Sequence, residues 1–305
     1  MARVAFLGTP GFAVPSLERL VEAGHEVALV VTQPDRPAGR GRAPSPPPVK
    51  VAAERLGLPV RQPERLRDDL DVLRAAKPQV AVVAAYGEVL TAATLAVPER
   101  GFVNVHPSLL PELRGATPVP TAILTGMATT GVTVMHVSLG VDAGPILAQV
   151  AEPIRDDDTG GALLARLGEL GADLLVEALP RWLAGKLAPR RQDGRRATYS
   201  RTLSRDDGRA DWSLPAVELW RRCRAFQPWP GFFTTWRGRT LKLTRVEPLA
   251  SRRGNAPGAV FDGPAVACGT GALLIHELQL EGKRVMGAEE FLRGQPSFVG
   301  SHLGD

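Results

Sequence analysis

The chain has 305 residues, 44% of them hydrophobic and 23% charged, enough apolar surface for two packed domains of about 100–200 residues each. This composition excludes a disordered chain, a collagen-like repeat and a disulfide scaffold; Cys223 and Cys268 are the only cysteines, which fits a reducing cytoplasm. Lys and Arg number 37 against 32 Asp and Glu, a net charge of +5 that suggests an anionic partner without specifying one. The start, MARVAFLGTPGF, is too short in apolar residues for a signal-peptide core, and no run reaches the ~18 residues of a membrane span.

In chain order, residues 3–7 read as a strand, 14–23 as a helix closed by Gly24, and 26–32 as the next strand. The turn Gly8-Thr9-Pro10-Gly11 lies where doubly wound proteins bind phosphate. It lacks the G-x-G-x-x-G spacing and no acid closes the second strand, so a close-packing turn is expected. Residues 33–50, QPDRPAGRGRAPSPPPVK, are too long and polar for an ordinary βα connection. They carry Arg36, Arg40, Arg42 and Lys50 against Asp35, net +3, and Gly39 and Gly41 flank Arg40, so the loop is suited to placing guanidinium groups on phosphates.

Residues 49–56 and 68–76 are helical in pattern, and 79–84 and 102–106 are continuously apolar strands of the kind buried on both faces. Residues 131–138 and 146–154 alternate in part and belong towards a sheet edge. A helix over 159–183 follows, with Thr159 as N-cap and apolar residues at Ala162, Leu163, Leu167, Leu170, Leu174, Ala178 and Trp182. Residues 181–205 then hold eight cations against the single acid Asp193, net +7. Beyond them, four of the five tryptophans accompany a helix over 214–226 and strands at 232–236, 240–246, 258–261 and 272–280, which suggests a small β-barrel. The expected organisation is a Rossmann-like, doubly wound, mostly parallel α/β domain over 1–186, a basic linker over 187–205, and an OB-like β-barrel over 206–305.

The strongest chemical signal is Asn104-Val105-His106-Pro107-Ser108-Leu109-Leu110-Pro111, followed by Arg114-Gly115-Ala116. Strand alternation puts Asn104 and His106 on one face at a strand's C-terminal end, where α/β sheets bind ligands. Asn supplies an amide donor for a developing oxyanion and His a base near neutral pH. Asp142, in Gly140-Val141-Asp142-Ala143-Gly144, stands at another strand end. Together the three suit acyl transfer, and with no Ser or Cys in a nucleophile-elbow setting the attacking group belongs to the substrate. His25, after Gly24, reads as a helix C-cap. No His, Asp and Cys grouping has metal-ligand spacing, so no metal is expected.

At these residues the chain resembles a known family. FLGTPGFAVPSLERL, VVTQPDRPAGRGR, AAYGEVL, NVHPSLLPELRGATPV, GVTVMHVSLGVDAGPIL and DGRADWS…RAFQPWPG are together similar to the bacterial methionyl-tRNA formyltransferases, in order along nearly the whole chain. The Asn-x-His…Asp set with SLLP is common to formyltransferases that use 10-formyltetrahydrofolate; the PAGRGR loop and the Trp-containing C-terminal segment carry the resemblance to the tRNA enzymes. The resemblance implies a cytoplasmic, monomeric enzyme of translation initiation. It implies Asn104, His106 and Asp142 as catalytic, Ser108, Leu109, Leu110 and Pro111 as lining the formyl-folate site, and Arg36, Arg40, Arg42, Arg190, Arg191, Arg195 and Arg196 as contacts to initiator methionyl-tRNA. Two departures stand out: Pro107 replaces a frequent Gly or Ala, and the loop's second half reads RAPSPPPVK, with Ala43 at a commonly basic position. Three other readings remain: a formyltransferase acting on a nucleotide sugar or purine-pathway ribonucleotide, a non-catalytic RNA-binding protein, and a formyl-folate hydrolase.

Overall fold

The computed structural model describes residues 1–38, 43–251 and 254–304. They form two compact units: Met1–Pro118, Thr129–Pro153 and Leu164–Ser200 make the first, and Val119–Ala128, Ile154–Leu163 and Arg201 onwards the second.

The first unit is built on a seven-stranded sheet of β1 (Arg3–Gly8), β2 (Glu26–Val31), β3 (Val60–Arg61), β4 (Val80–Ala84), β5 (Phe102–His106), β6 (Thr129–His136) and β7 (Ile146–Pro153), in the order β7-β6-β5-β4-β1-β2-β3. The pairs from β5 through β3 are parallel; β6 runs antiparallel to both β5 and β7. The continuously apolar strands are buried on both faces, as expected, and the partly alternating pair lies at one side with β7 as the edge. The turn after β1 packs closely: a side chain at Gly8 would stand 2.8 Å from Ala13 Cβ and 2.9 Å from Phe6 Cε1.

The helix Gly160–Leu183 begins where expected, Thr159 Oγ1 accepting the Ala162 N–H at 3.2 Å. Its buried face runs through Leu163, Leu167, Ala172, Leu175, Ala178 and Leu179, and not through Ala162, Leu170, Leu174 and Trp182. The reason is glycine: a Cβ at Gly171 would lie 2.7 Å from Val105 Cγ1 and one at Gly168 3.1 Å from the Phe12 carbonyl, so these bare positions set the line of closest approach. The helix Pro118–Leu124, the short helix Ala92–Leu95 and the strand β3 were not apparent in the sequence pattern. His25 caps the helix through its backbone N–H, which donates to Leu20 O, while its ring Nδ1 accepts the Ala2 N–H at 3.3 Å.

The second unit holds a six-stranded antiparallel sheet, Phe233–Trp236, Arg239–Leu249, Ala272–Leu280, Ala265–Ala267 and Val260–Phe261 in that order, with Met286–Gly287 also on Ala272–Leu280. Residues 300–304 join its two edges: Gly300 and Ser301 exchange backbone bonds with Val260, and Gly304 N–H donates to Thr235 O at 3.0 Å. Trp236, Phe291 and Phe298 fill one end of its core in edge-on contacts of 5.2–5.7 Å.

Gly131 on β6 gives a stability test. A methyl group there would collide with the Val150 carbonyl of the paired strand and stand 2.7 Å from Leu109 Cδ2. Gly131→Ala is expected to lower unfolding free energy by about 1–3 kcal/mol, and Gly11→Ala, where an added Cβ meets no atom within 4 Å among the described residues beyond its chain neighbours, to stay within about 0.5 kcal/mol of the parent. Urea titrations check this; equal effects at the two positions would refute it.

Candidate active site

β5 lies inside the sheet, with Asn104 opposite Met135 and His106 opposite Thr133 on β6. Its pleat turns both polar side chains to one face, and both are buried, at 9% and 5% exposure. Asp142 occupies the turn between β6 and β7 with a left-handed backbone, φ 45°. Its carboxylate gathers three groups. Asn104 Nδ2 donates to Oδ1 at 3.4 Å, the Gly115 N–H donates to Oδ2 at 2.8 Å, and His106 Nδ1 lies 3.7 Å from Oδ2, just beyond hydrogen-bond range. Gly115 has φ 103°, and a Cβ there would sit 2.6 Å from the Ser200 carbonyl, so the donor comes from a position that requires glycine.

The far side of the imidazole is also held. His106 Nε2 is 3.0 Å from the Leu113 carbonyl. A carbonyl only accepts, so Nε2 carries a hydrogen, and the nitrogen free to gain or lose a proton is Nδ1, facing Asp142. The three residues singled out on chemical grounds thus converge on one carboxylate.

Of the 108–111 turn, Ser108 and Leu110 are buried and Leu109 and Pro111 half-exposed. Ser108 Oγ donates to the Glu112 carbonyl at 2.6 Å, and Leu110 packs with Met135 and Ile146. Thr133 Oγ1 donates to Ser108 O and accepts from Leu110 N–H, and Gln149 Nε2 donates to Leu110 O at 2.9 Å. Thr133 and Gln149 therefore shape this turn, although nothing in the sequence marked them.

The basic stretch lies across the loops that carry the site. Arg190 exchanges two 2.8 Å backbone bonds with Ile146, and Leu113 N–H donates to Thr198 Oγ1 at 2.9 Å. Arg114 N–H donates to Thr198 O, and Tyr199–Ser200 pairs in parallel with Arg114–Gly115. Residues 190–200 belong to the first unit and are strapped to it. Arg190, Arg191, Arg195 and Arg196 are exposed; Arg190 reaches Gln149 Oε1 at 2.6 Å, Arg195 pairs with Asp193, and Arg196 approaches Glu112 at 3.5 Å. Arg36 is exposed in a two-stranded hairpin, Arg36–Ala38 with Ala43–Ser45, and pairs with Glu64 at 3.1 Å. Lys50 Nζ is tied to Asp35 at 2.8 Å, and this bond, with a second from Gln62, holds the Asp35 carboxyl below its ordinary range. Arg40 and Arg42 lie outside the described residues.

Neither cysteine offers a nucleophile, since burial pushes both thiols up to about 12. His136, half-buried beside Trp182 at 5.5 Å, has its pKa lowered by burial and stands apart from the Asp142 cluster.

Residues 2–179 match the formyl transferase family and residues 202–296 the formyl transferase C-terminal domain. The chain is 50% identical over 310 residues to a methionyl-tRNA formyltransferase of Roseiflexus sp. (strain RS-1), covering 99% of this chain and 95% of that protein. An N-formyltransferase of Helicobacter canadensis, solved with folinic acid and dTDP-3-aminofucose, shares the fold at TM-score 0.67 and 16% identity over 90% of this chain and 99% of that one. HypX of Aquifex aeolicus, solved with tetrahydrofolic acid, does so at TM-score 0.66 and 17% identity over 95% of this chain and 47% of that one. With both family segments matched in order and half the residues shared with a full-length relative, the chain belongs to the formyl transferase family, alongside the methionyl-tRNA formyltransferases.

Proposed function

We propose that the Asn104, His106 and Asp142 cluster carries a formyl group from 10-formyltetrahydrofolate to the α-amino group of methionine on initiator methionyl-tRNA. One observation carries the reading: a single carboxylate gathers an amide, an imidazole and a backbone N–H beside the C-terminal end of β5. The full-length likeness to a methionyl-tRNA formyltransferase supports the acceptor, and folate compounds in structures of the same fold support the donor class.

The donor supplies a formyl carbon as electrophile. An unperturbed α-amino group titrates at about 7.7–8.0, and esterification of the neighbouring carboxyl lowers that, so the acceptor arrives largely neutral. The protein therefore has to orient it, stabilise negative charge on the formyl oxygen and take up the amine's proton. The Asn104 amide has two hydrogens; one goes to Asp142, and the second serves the oxygen. His106 is held at Nε2 by Leu113, which leaves Nδ1, backed by Asp142, to take the amine's proton and return it to N10 as the formyl C–N10 bond breaks and tetrahydrofolate leaves. Donors of this chemistry fit a formyl-transfer site.

Phosphate contacts come from the exposed cations. Arg190, Arg191, Arg195 and Arg196 lie on the strap that crosses the site loops, and Arg36 lies in the hairpin at the base of the 33–50 loop. In this division the loop, with Arg40 and Arg42, discriminates initiator tRNA, and the strap supplies affinity.

Asn104→Ala and His106→Ala are each expected to lower turnover about a hundredfold or more with both substrates saturating, while far-ultraviolet circular dichroism stays that of the parent. Near-normal turnover in both would refute the assignment. For the acceptor, formyl transfer is to be measured with initiator methionyl-tRNA, elongator methionyl-tRNA, a small amine and no acceptor; only the first should turn over efficiently, and transfer independent of tRNA would contradict the reading. Replacing Arg191 or Arg195 by Ala should weaken tRNA binding and reduce the slope of log affinity against log salt by about 1 for each phosphate that the arginine neutralises; an unchanged slope would place those arginines away from the phosphates.

A further inference from the structure

We infer that Gln192 is a positioning residue for Asp142: its carboxamide sets the turn that aims the carboxylate at Asn104 and His106. The inference rests on the catalytic reading of Asp142 given above, and it assigns work to a side chain fifty positions away in the basic stretch.

The geometry is that of a two-sided clasp. Gln192 Nε2 donates one hydrogen to the Asp142 carbonyl and the other to the Gly144 carbonyl, both at 2.7 Å. Its Oε1 accepts from Arg114 Nη2 at 2.7 Å and Nε at 3.1 Å. Every polar atom of the carboxamide is therefore used, and the residue is half-buried. Arg114 is 6% exposed, and its guanidinium also donates to Tyr199 Oη at 3.3 Å. A buried cation on the amide oxygen polarises the amide and strengthens its two N–H donors towards the carbonyls.

The two loops so joined are those that build the site. On one side Leu113 holds His106 and Gly115 holds Asp142; on the other lies the left-handed turn of Asp142 itself. Backbone bonds of the strap, Arg190 to Ile146 and Thr198 to Arg114, fix the flanks. The Gln192 side chain bonds both Arg114 and the Asp142–Gly144 turn. No other side chain of this reach substitutes: Glu lacks the donors, Asn is one methylene too short, and Lys lacks the acceptor for Arg114.

Such a residue acts on turnover through Asp142 and leaves substrate affinity largely alone. Gln192→Met keeps the volume and removes every one of these hydrogen bonds. Gln192→Glu keeps a partner for the buried Arg114 and replaces the two donors by a carboxylate oxygen that faces two carbonyl oxygens, so it tests the same role should the first variant fold poorly. Each is to be measured alone and combined with Asp142→Asn, with kcat and KM for both substrates. The expected result is a ten- to hundredfold lower kcat for the single Gln192 variants, since small misplacements of reacting groups cost on that scale. KM values should stay within about threefold, and there should be little further loss once Asp142 is already Asn. A Gln192 variant with parental kcat, or one slowed equally in both backgrounds as a general structural lesion would be, overturns the positioning role. Asp142→Asn turning over at the parental rate would instead overturn the catalytic reading, and the positioning role with it.

Discussion

The Asp142 carboxylate, bonded to the Gly115 N–H, is the contact on which the rest of the site depends. Asp142 adopts a left-handed backbone conformation, which costs a non-glycine residue about 1–2 kcal/mol. A backbone N–H on a carboxylate returns about 1.5–3 kcal/mol, and the carbonyl end of the same residue is taken by Gln192. The strained turn is thus held from both its side chain and its main chain. Asn104 and His106 need no such support, because they stand on a strand buried inside the sheet. The site joins two groups of fixed position to one that the loops must aim.

This difference explains what could be read from the sequence. The parallel core was legible because its strands are continuous apolar runs, and Asn104 and His106 were legible because a two-residue period puts them on one face. Asp142 was legible as a lone acid between glycines after a strand. The roles of Leu113, Gly115, Thr133, Gln149 and Gln192 were not, because they act through backbone atoms, a hydroxyl or long-range amide contacts that leave no local pattern. The buried face of the helix Gly160–Leu183 followed its glycines, which a count of apolar residues cannot weigh. The short helix Ala92–Leu95 lies below the length at which periodicity is detectable.

The charge distribution takes on meaning in the same frame. Residues 33–50 and 181–205 carry +3 and +7, which leaves the rest of the chain at −5. The second segment, expected as a linker, has its residues 190–200 strapped to the first unit, with polar backbone and Gln192 turned inward and arginines outward. One run of chain thus braces the loops around Asp142 through its inward groups and leaves four arginines exposed. On the proposed function, the same stretch would join acceptor binding to the geometry of Asp142 through covalent continuity.

On the proposed function, Asp142 organises formyl transfer without forming a bond to substrate. A single-turnover measurement on Asp142→Asn, with formyl-folate and methionyl-tRNA both saturating, checks this when paired with tRNA affinity by filter binding. The expected rate is at least about a hundredfold below the parent with tRNA affinity unchanged. A rate within a few-fold of the parent, or a slowing that follows weakened tRNA binding, would contradict it.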